Sequence, residues 1–390
     1  MNTPARRHAW LISAYYFFFY GAIGCLFPYI PLYYRHIGLS GEQIGLLMGL
    51  GPIVLLGSGP LWGAIGDRFN LHRRLLPIAS AGAIIPIFFI PRTDHLTFLI
   101  LLTIVQSFFA TAIGPLMDSA ALEIAASSGT SFGQLRLGGS IGFTIISVAM
   151  GWLLTHASLV WLFYGYMICM ALAALVALPL PARQHHWNAP IRQGFHTLLG
   201  QPPLAFFLAA ALLIGVSASA VQFFFPLYMQ SIGGDSNLLG IAGAVAAFSE
   251  MPIMFYANRV LRRVGGLWAG VALGTAAYTV RWIALSWAAT PSAVMLVQLL
   301  HGVSFGLFVI SAVAYVESQA PRGLSATAQS LFIAATWGLG AMTGAFGGGI
   351  IFERFGPTVL FQAAGVTTLL ALFILFAARY TTRRAARTAP

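Results

Sequence analysis

Twelve apolar runs, each of roughly membrane-spanning length, constrain this chain more than any other feature. They fall at about 9–34, 42–66, 75–92, 97–125, 131–155 and 159–180, then 204–230, 238–258, 267–288, 292–316, 325–350 and 358–378. A bilayer core about 30 Å thick takes about 20 apolar residues of helix to cross. Most of the connections are short, so consecutive helices are antiparallel neighbours. Composition agrees. The 390 residues are 58% hydrophobic and 7% charged, against about 25% charged in soluble domains. Arg6, Arg7 and His8 precede the first run as in a signal peptide. That run is too long for one, rich in aromatics, and has no small-residue cleavage site. It is expected to be a retained first span.

The net charge of +11 does not point to nucleic acid, because the basic residues lie between the apolar runs and report topology instead. All twenty are Arg, which removes Schiff-base and phosphate-binding lysine chemistry. With the N-terminus inside, fifteen Arg face the cytoplasm and three (Arg35, Arg92, Arg354) face outward, leaving Arg136 and Arg281 inside spans. One missed helix would blur that asymmetry. Cys25 and Cys169 both fall inside apolar runs and read as two buried thiols rather than a disulfide framework.

The polar stretch Pro181–Pro203 is the one long connection. It divides the chain into an N-terminal half, 1–182, a cytoplasmic central loop, 183–203, and a C-terminal half, 204–380, with a basic tail at 381–390. An internal repeat supports the division. Pro31, Leu32, Tyr33, Ile37, Gly38 and Gly45 recur as Pro226, Leu227, Tyr228, Ile232, Gly233 and Gly240, all at an offset of 195. Glycines crowd the fifth span (Gly138, Gly139, Gly142) and the eleventh (Gly338, Gly340, Gly344, Gly347, Gly348, Gly349). Small residues there serve close packing, sliding, or both.

Charges at the centre of a membrane helix cost about 2.5–3.5 kcal/mol each on an insertion scale, so they face the bundle interior and mark pathways. Asp118 and Arg136 are equidistant from the turn at Ser127, Ser128 and Gly129. On an antiparallel hairpin they lie at similar depth, either as a structural ion pair or as a clamp on substrate hydroxyls. Glu250 lies about 18 Å into the eighth span at 1.5 Å per residue. A carboxyl at that depth suits a proton carrier, or a permanent partner of Arg281 in the ninth span. His301 falls near the midplane of the tenth, with Gln298 one turn away. A lone His is more often a satisfied hydrogen-bonding group than a proton site. The aromatic runs at 15–20 and 223–225 are expected to face lipid or pack between helices, with one or two rings free to stack on a ring-shaped solute.

Two motifs carry a family resemblance. Gly63-x-x-x-Asp67-Arg68, followed by His72, Arg73 and Arg74, resembles the signature loop between the second and third spans of the major facilitator superfamily. Phe132–Phe143 (FGQLRLGGSIGF) resembles the fifth-span motif of the lactose permease relatives, a group that includes oligosaccharide, nucleoside and phenylpropionate proton symporters. The resemblance implies that Asp118 and Arg136 bind substrate and that Phe143 stands where lactose permease stacks a Trp on sugar. Val280-Arg281-Trp282-Ile283 resembles the ninth-span motif around an essential Arg, and His301 has the spacing of the tenth-span His. Two positions depart from the pattern: Gln298 replaces a charged residue and Ser304 replaces the proton-carrying Glu. The lactose-type coupling apparatus is therefore not intact. Leu116–Ser119, the Leu-His-Gly of the tenth span and Ser249–Pro252 look closer to the phenylpropionate and nucleoside branch than to disaccharide carriers.

The expectation is an all-α membrane protein with twelve transmembrane helices in two pseudo-symmetric six-helix halves. It is a secondary transporter, a proton symporter of a sugar, nucleoside or aromatic acid working by alternating access. Asp118, Arg136, Phe143, Arg281, His301 and Gln298 bind substrate. Glu250 is the favoured proton carrier, with Asp118 and His301 as further coupling groups. Gly63, Asp67 and Arg68 form a cytoplasmic gate. The proton is the coupling ion, with no cofactor and no metal. The partners are the substrate and the lipid bilayer, with no nucleic acid, and the family default is a monomer in the inner membrane with both termini cytoplasmic. A proton-coupled exporter is the alternative, and a non-transporting sensor a lesser one. An enzyme is not expected, since no HExxH motif and no Cys/His ligand cluster is present.

Overall fold

A computed structural model of the chain describes residues 4–69, 74–180, 197–321 and 323–388, with some helical side chains, including those of 63, 67 and 381–388, outside the description. Most of the central loop, 181–196, is likewise outside it. Nine helices among the described residues are long and apolar enough to cross a membrane. The longest, Ser325–Tyr380, is broken at Gly356, where φ is 80° and Pro357 follows. That break separates the eleventh span from the twelfth. Trp161–Ala177 and Leu267–Trp287 supply the sixth and ninth, so the described residues make twelve spans.

In order, the first span is Pro4–Leu26 continued by Ile30–His36, the second Gly41–Phe69, the third Leu75–Phe89, the fourth Leu96–Ser128 and the fifth Phe132–His156. The seventh is Pro202–Ser231 and the eighth Ser236–Phe255. The tenth runs from Pro291 to Gln319 and the eleventh starts at Ser325. Both contain a π-helical turn, Gly302–Leu307 in the tenth and Ala334–Gly340 in the eleventh. Internal contacts divide the chain into two compact units, Met1–Trp187 with Gly234–Ala244, and Asn188–Gly233 with Val245–Pro390.

The turn between the fourth and fifth spans is fixed by its own residues. Gly129 takes the left-handed conformation that closes a helix (φ 72°), which costs a residue without Cβ nothing. Ser131 and Gln134 then form a reciprocal capping box, at 3.0 and 3.2 Å, that satisfies two of the free amides opening the fifth span. The hairpin thereby sets the register of Asp118 against Arg136.

Within the first unit, the fifth span packs closely on the first through glycine. A Cβ on Gly138 would lie 2.5 Å from the Ser13 carbonyl oxygen, and one on Gly142 2.1 Å from that of Phe17. The second unit repeats the device between spans eleven and seven. A Cβ on Gly344 would lie 2.3 Å from the Val216 carbonyl oxygen, and one on Gly340 2.9 Å from that of Leu212. Without a hydrophobic driving force between helices in lipid, this backbone-to-backbone approach is what holds them. The repeat is visible elsewhere too. Gly38 and Gly233 have φ of 88° and 85°. Tyr33 meets Phe163 edge to face at 4.7 Å, and Tyr228 meets Phe361 in the same way at 4.7 Å.

Cys25 and Cys169 are free and buried. They lie beside one another, Cys25 on the first span and Cys169 on the sixth.

Candidate functional site

The first unit gathers its intramembrane polar groups around the first span. Tyr16 and Tyr20, four residues apart on one helix face, stack with ring centroids 6.3 Å apart. The Tyr16 hydroxyl donates to Asp118 Oδ1 at 2.6 Å. Arg136 lies within electrostatic reach of Tyr20, Asp118 and Tyr16. Asp118 and Arg136 therefore share one cluster with Tyr16 and Tyr20, in which Tyr16 is the direct partner of Asp118. Gly139 makes this possible, because a Cβ there would come within 2.6 Å of the Tyr20 ring. Phe143 lies seven residues, or two turns, beyond Arg136 on the same helix and is half-buried. The sequence reading singles out neither tyrosine as a partner of the charges. The available signal is their spacing of four within an aromatic run, which places them on one face. Tyr15, one residue earlier, is turned to the third span, where its hydroxyl meets Ser80 at 2.7 Å.

The second unit assembles a longer polar chain. Glu250 Oε1 stands 2.7 Å from His301 Nε2. His301 Nδ1 stands 2.6 Å from Arg281 Nη1. Arg281 Nη2 donates to Gln298 Oε1 at 2.5 Å, and Nη1 reaches Ser304 Oγ at 3.4 Å. Arg281 and Gln298 are each only 5% exposed, and Ser304 is fully buried. A guanidinium has no acceptor, so His301 Nδ1 must accept and the neutral ring carries its hydrogen on Nε2. That hydrogen points at the Glu250 carboxylate. The hydrogen-bond network thus assigns the tautomer, and an uncharged imidazole separates the two charges. Arg281 also lies 4.8 Å over the Trp282 ring.

Local structure explains how Glu250 reaches His301. Gly302 opens the π turn, and such turns occur mostly as single bulges, frequently at functional sites. Its amide is free to donate to Ser249 Oγ, at 2.9 Å. A Cβ on Gly302 would lie 2.0 Å from the Ser249 carbonyl oxygen. Only glycine lets the eighth span come so close, and Glu250 is the next residue. His301 also stacks on Phe305 at 5.1 Å, and Phe305 meets Trp337 edge-on at 6.1 Å. No sequence signal announces either π turn.

Of the residues expected to gate, Arg68 is exposed at the end of the second span. Gly63 and Asp67 lie on that helix, but their side chains are outside the described residues.

The family described as "MFS_1 like family" matches residues 9–363. The chain is 32% identical over 370 residues to a maltose permease of Geobacillus stearothermophilus, covering 93% of this chain and 92% of that one. It is 25% identical over 331 residues to a probable 3-phenylpropionic acid transporter of Escherichia coli K12, covering 80% and 82%. Among solved structures, the nucleoside transporter NupG superposes with a TM-score of 0.82 at 17% identity over 95% of this chain and 98% of that one. At that identity the likeness is one of fold. The resemblance read from the sequence leans away from disaccharide carriers, yet the maltose permease is the more similar of the two relatives.

Proposed function

Because the chain belongs to the major facilitator superfamily, we propose that this multi-pass membrane transporter is a proton symporter of a small sugar, working by alternating access. The relatives are named as permeases and transporters, not enzymes. The observation that carries proton coupling is the Glu250–His301–Arg281 chain, with contacts of 2.7 and 2.6 Å. Glu250 supplies the carboxylate that the tenth span lacks at Ser304, and it reaches the same histidine from the eighth span.

With Glu250 ionised, its charge is balanced by Arg281 through the neutral His301. A proton taken up by the carboxylate removes that charge. The charge-assisted hydrogen bond becomes a neutral one of roughly half the strength, and the Glu250–His301 contact loosens. Arg281 stays held by Gln298 and Ser304. The second unit thereby acquires two electrostatic states that differ by one proton, which is what coupling requires.

Asp118 and Arg136 bind solute hydroxyls from the first unit, positioned by Tyr16 and Tyr20, with Phe143 offering a ring face. A sugar is favoured over a nucleoside or an aromatic acid because the relative at 32% identity over nearly the full length is a maltose permease. The Arg asymmetry favours the inner membrane with both termini cytoplasmic. Asp67 and Arg68 fit a gate on that face.

The test is external pH in lightly buffered anaerobic cells expressing the protein, pulsed separately with maltose, a nucleoside and an aromatic acid. Alkalinisation with maltose alone is the expected result. Alkalinisation with another solute would correct the substrate class, and none with any of them would count against proton symport of these solutes.

A further inference from the structure

A cavity in the second unit takes no part in the polar chain. It has a volume of about 150 Å³ and is lined by Phe207, Trp268, Tyr315, Gln319, Leu375 and Arg379, among others. These residues come from the beginning of the seventh span, the beginning of the ninth, the end of the tenth and the end of the twelfth. In an antiparallel bundle all four ends lie on one face, the one on which the central connection and the final helix emerge.

The wall is apolar and aromatic, with Phe207 and Tyr315 rings 5.0 Å apart. The polar groups are Arg379, the Gln319 amide and the Tyr315 hydroxyl. The Arg379 guanidinium lies 3.8 Å over the Trp268 ring. Among the described residues no carboxylate pairs with it. Its neighbourhood is basic as well. The short helix Ala257–Val264 precedes the ninth span, and its Arg259, Arg262 and Arg263 are all exposed. Leu261 of that helix packs close to Gly270 of the ninth span. Phe376 is 51% exposed beside Trp268, at a ring distance of 4.9 Å.

We propose that this cavity is a binding site for an anionic phospholipid, with the phosphate on Arg379 and an acyl segment against Phe207 and Leu375. An apolar cavity of this size holds a group about as large as benzene, so it has room for a stretch of chain and not for a whole lipid. The headgroup must therefore stay at the mouth. There a guanidinium pre-stacked on an indole presents its free edge, suited to a bidentate phosphate contact. Aromatic rings at the level of the headgroups and basic pockets between helix ends are the features by which membrane proteins select anionic lipids. The exposed arginines of Ala257–Val264 add attraction of the same sign. The site is independent of proton coupling and of the transported solute.

The experiment uses full-length protein, delipidated in neutral detergent, with phosphatidylglycerol, phosphatidylcholine or inorganic phosphate added back. Lipid retention is read by native mass spectrometry and stability by melting temperature. Phosphatidylglycerol is expected to be retained and to raise the melting temperature, while phosphatidylcholine and phosphate leave both unchanged. In Arg379→Gln, phosphatidylglycerol retention should fall about fivefold, the change expected for one basic residue near a membrane surface. Arg379→Lys, which keeps the charge, should fall less. Arg92→Gln is the control, since Arg92 is likewise stacked on a ring, Phe88 at 3.6 Å, but does not line the cavity. Equal retention of the two lipids by the native protein, or equal losses in Arg379→Gln and Arg92→Gln, would overturn the proposal.

Discussion

Glu250 and His301 stand on different helices, the eighth and the tenth, with 2.7 Å between carboxylate oxygen and imidazole Nε2. The contact exists because Gly302 admits the Ser249 backbone and because its amide bonds the Ser249 hydroxyl. A carboxylate on one helix is thus tied to a guanidinium on another through a neutral ring. Helix geometry, rather than a run of charged residues, creates the relationship.

Arg281 anchors that chain, and its removal is expected to be costly. In Arg281→Met, His301 Nδ1 and Gln298 Oε1 lose their donor, and the half-buried Glu250 is left opposite no charge. Breaking a buried charged network in this way costs about 3–5 kcal/mol. Thermal unfolding in detergent should show a large loss of stability. The double variant Arg281→Met with Glu250→Gln should recover part of it, because the unpaired carboxylate is gone. Equal stability of the single and double variants would contradict the pairing.

Glycine substitutions separate contact from composition. Gly142→Ala and Gly344→Ala place a methyl within 2.1 and 2.3 Å of carbonyl oxygens on the neighbouring span, and each should destabilise by about 1–3 kcal/mol through overpacking. Gly347→Ala meets nothing within 4 Å and should be neutral or stabilising by up to about 1 kcal/mol through helix propensity. Melting temperatures of the three variants check this. A loss in Gly347→Ala as large as in the other two would remove the structural explanation.

Tyr16 gives a test of the first-unit cluster. Tyr16→Phe keeps the ring stacked on Tyr20 and removes only the donor to Asp118. A hydrogen bond to a charged group is worth about 1.5–3 kcal/mol. If Asp118 holds the solute, freeing it alters affinity by roughly tenfold or more while leaving expression unchanged. Binding by calorimetry or fluorescence measures it. Unaltered affinity would assign the Tyr16–Asp118 bond to structure alone.

The eighth span offers a fourth prediction. Its first half belongs with the first unit. A Cβ on Gly240 would lie 2.7 Å from the Tyr29 hydroxyl and 3.0 Å from the Ser147 carbonyl oxygen, and the Asn237 amide donates to Thr155 Oγ1 at 3.2 Å. Gly240→Trp cannot fit this approach. It should expose Ser147→Cys, introduced as a reporter at a position now 1% exposed, to a membrane-impermeant maleimide. Labelling no faster than with Gly240 intact would show that the contact tolerates the ring.

Much of this is legible in the sequence, and the reason is periodicity. Apolar runs set the spans, and the offset between Tyr33 and Tyr228 exposes the repeat that the paired rings and the positive-φ Gly38 and Gly233 display. The depth match of Asp118 and Arg136 follows from helix rise and the Gly129 turn. Partner choice does not follow. The sequence offers Arg281 as a direct partner of Glu250, whereas His301 stands between the two. The π turns that turn Gly302 toward Ser249, and that lie beside the Phe305 and Trp337 contact, add a residue to the helical repeat without any compositional mark. The tyrosines clustered with Asp118 and Arg136 are present in the aromatic run, but sequence alone does not say which rings turn inward.

The most direct measurement is solute flux in proteoliposomes carrying Glu250→Gln. The amide still occupies the place of the carboxylate beside His301, yet it cannot gain or lose a proton. Equilibrium exchange of labelled for unlabelled maltose should continue, while accumulation driven by an imposed pH gradient should vanish. Accumulation at the native level in Glu250→Gln would contradict proton coupling through Glu250 and place the coupling carboxylate elsewhere, with Asp118 the next to test.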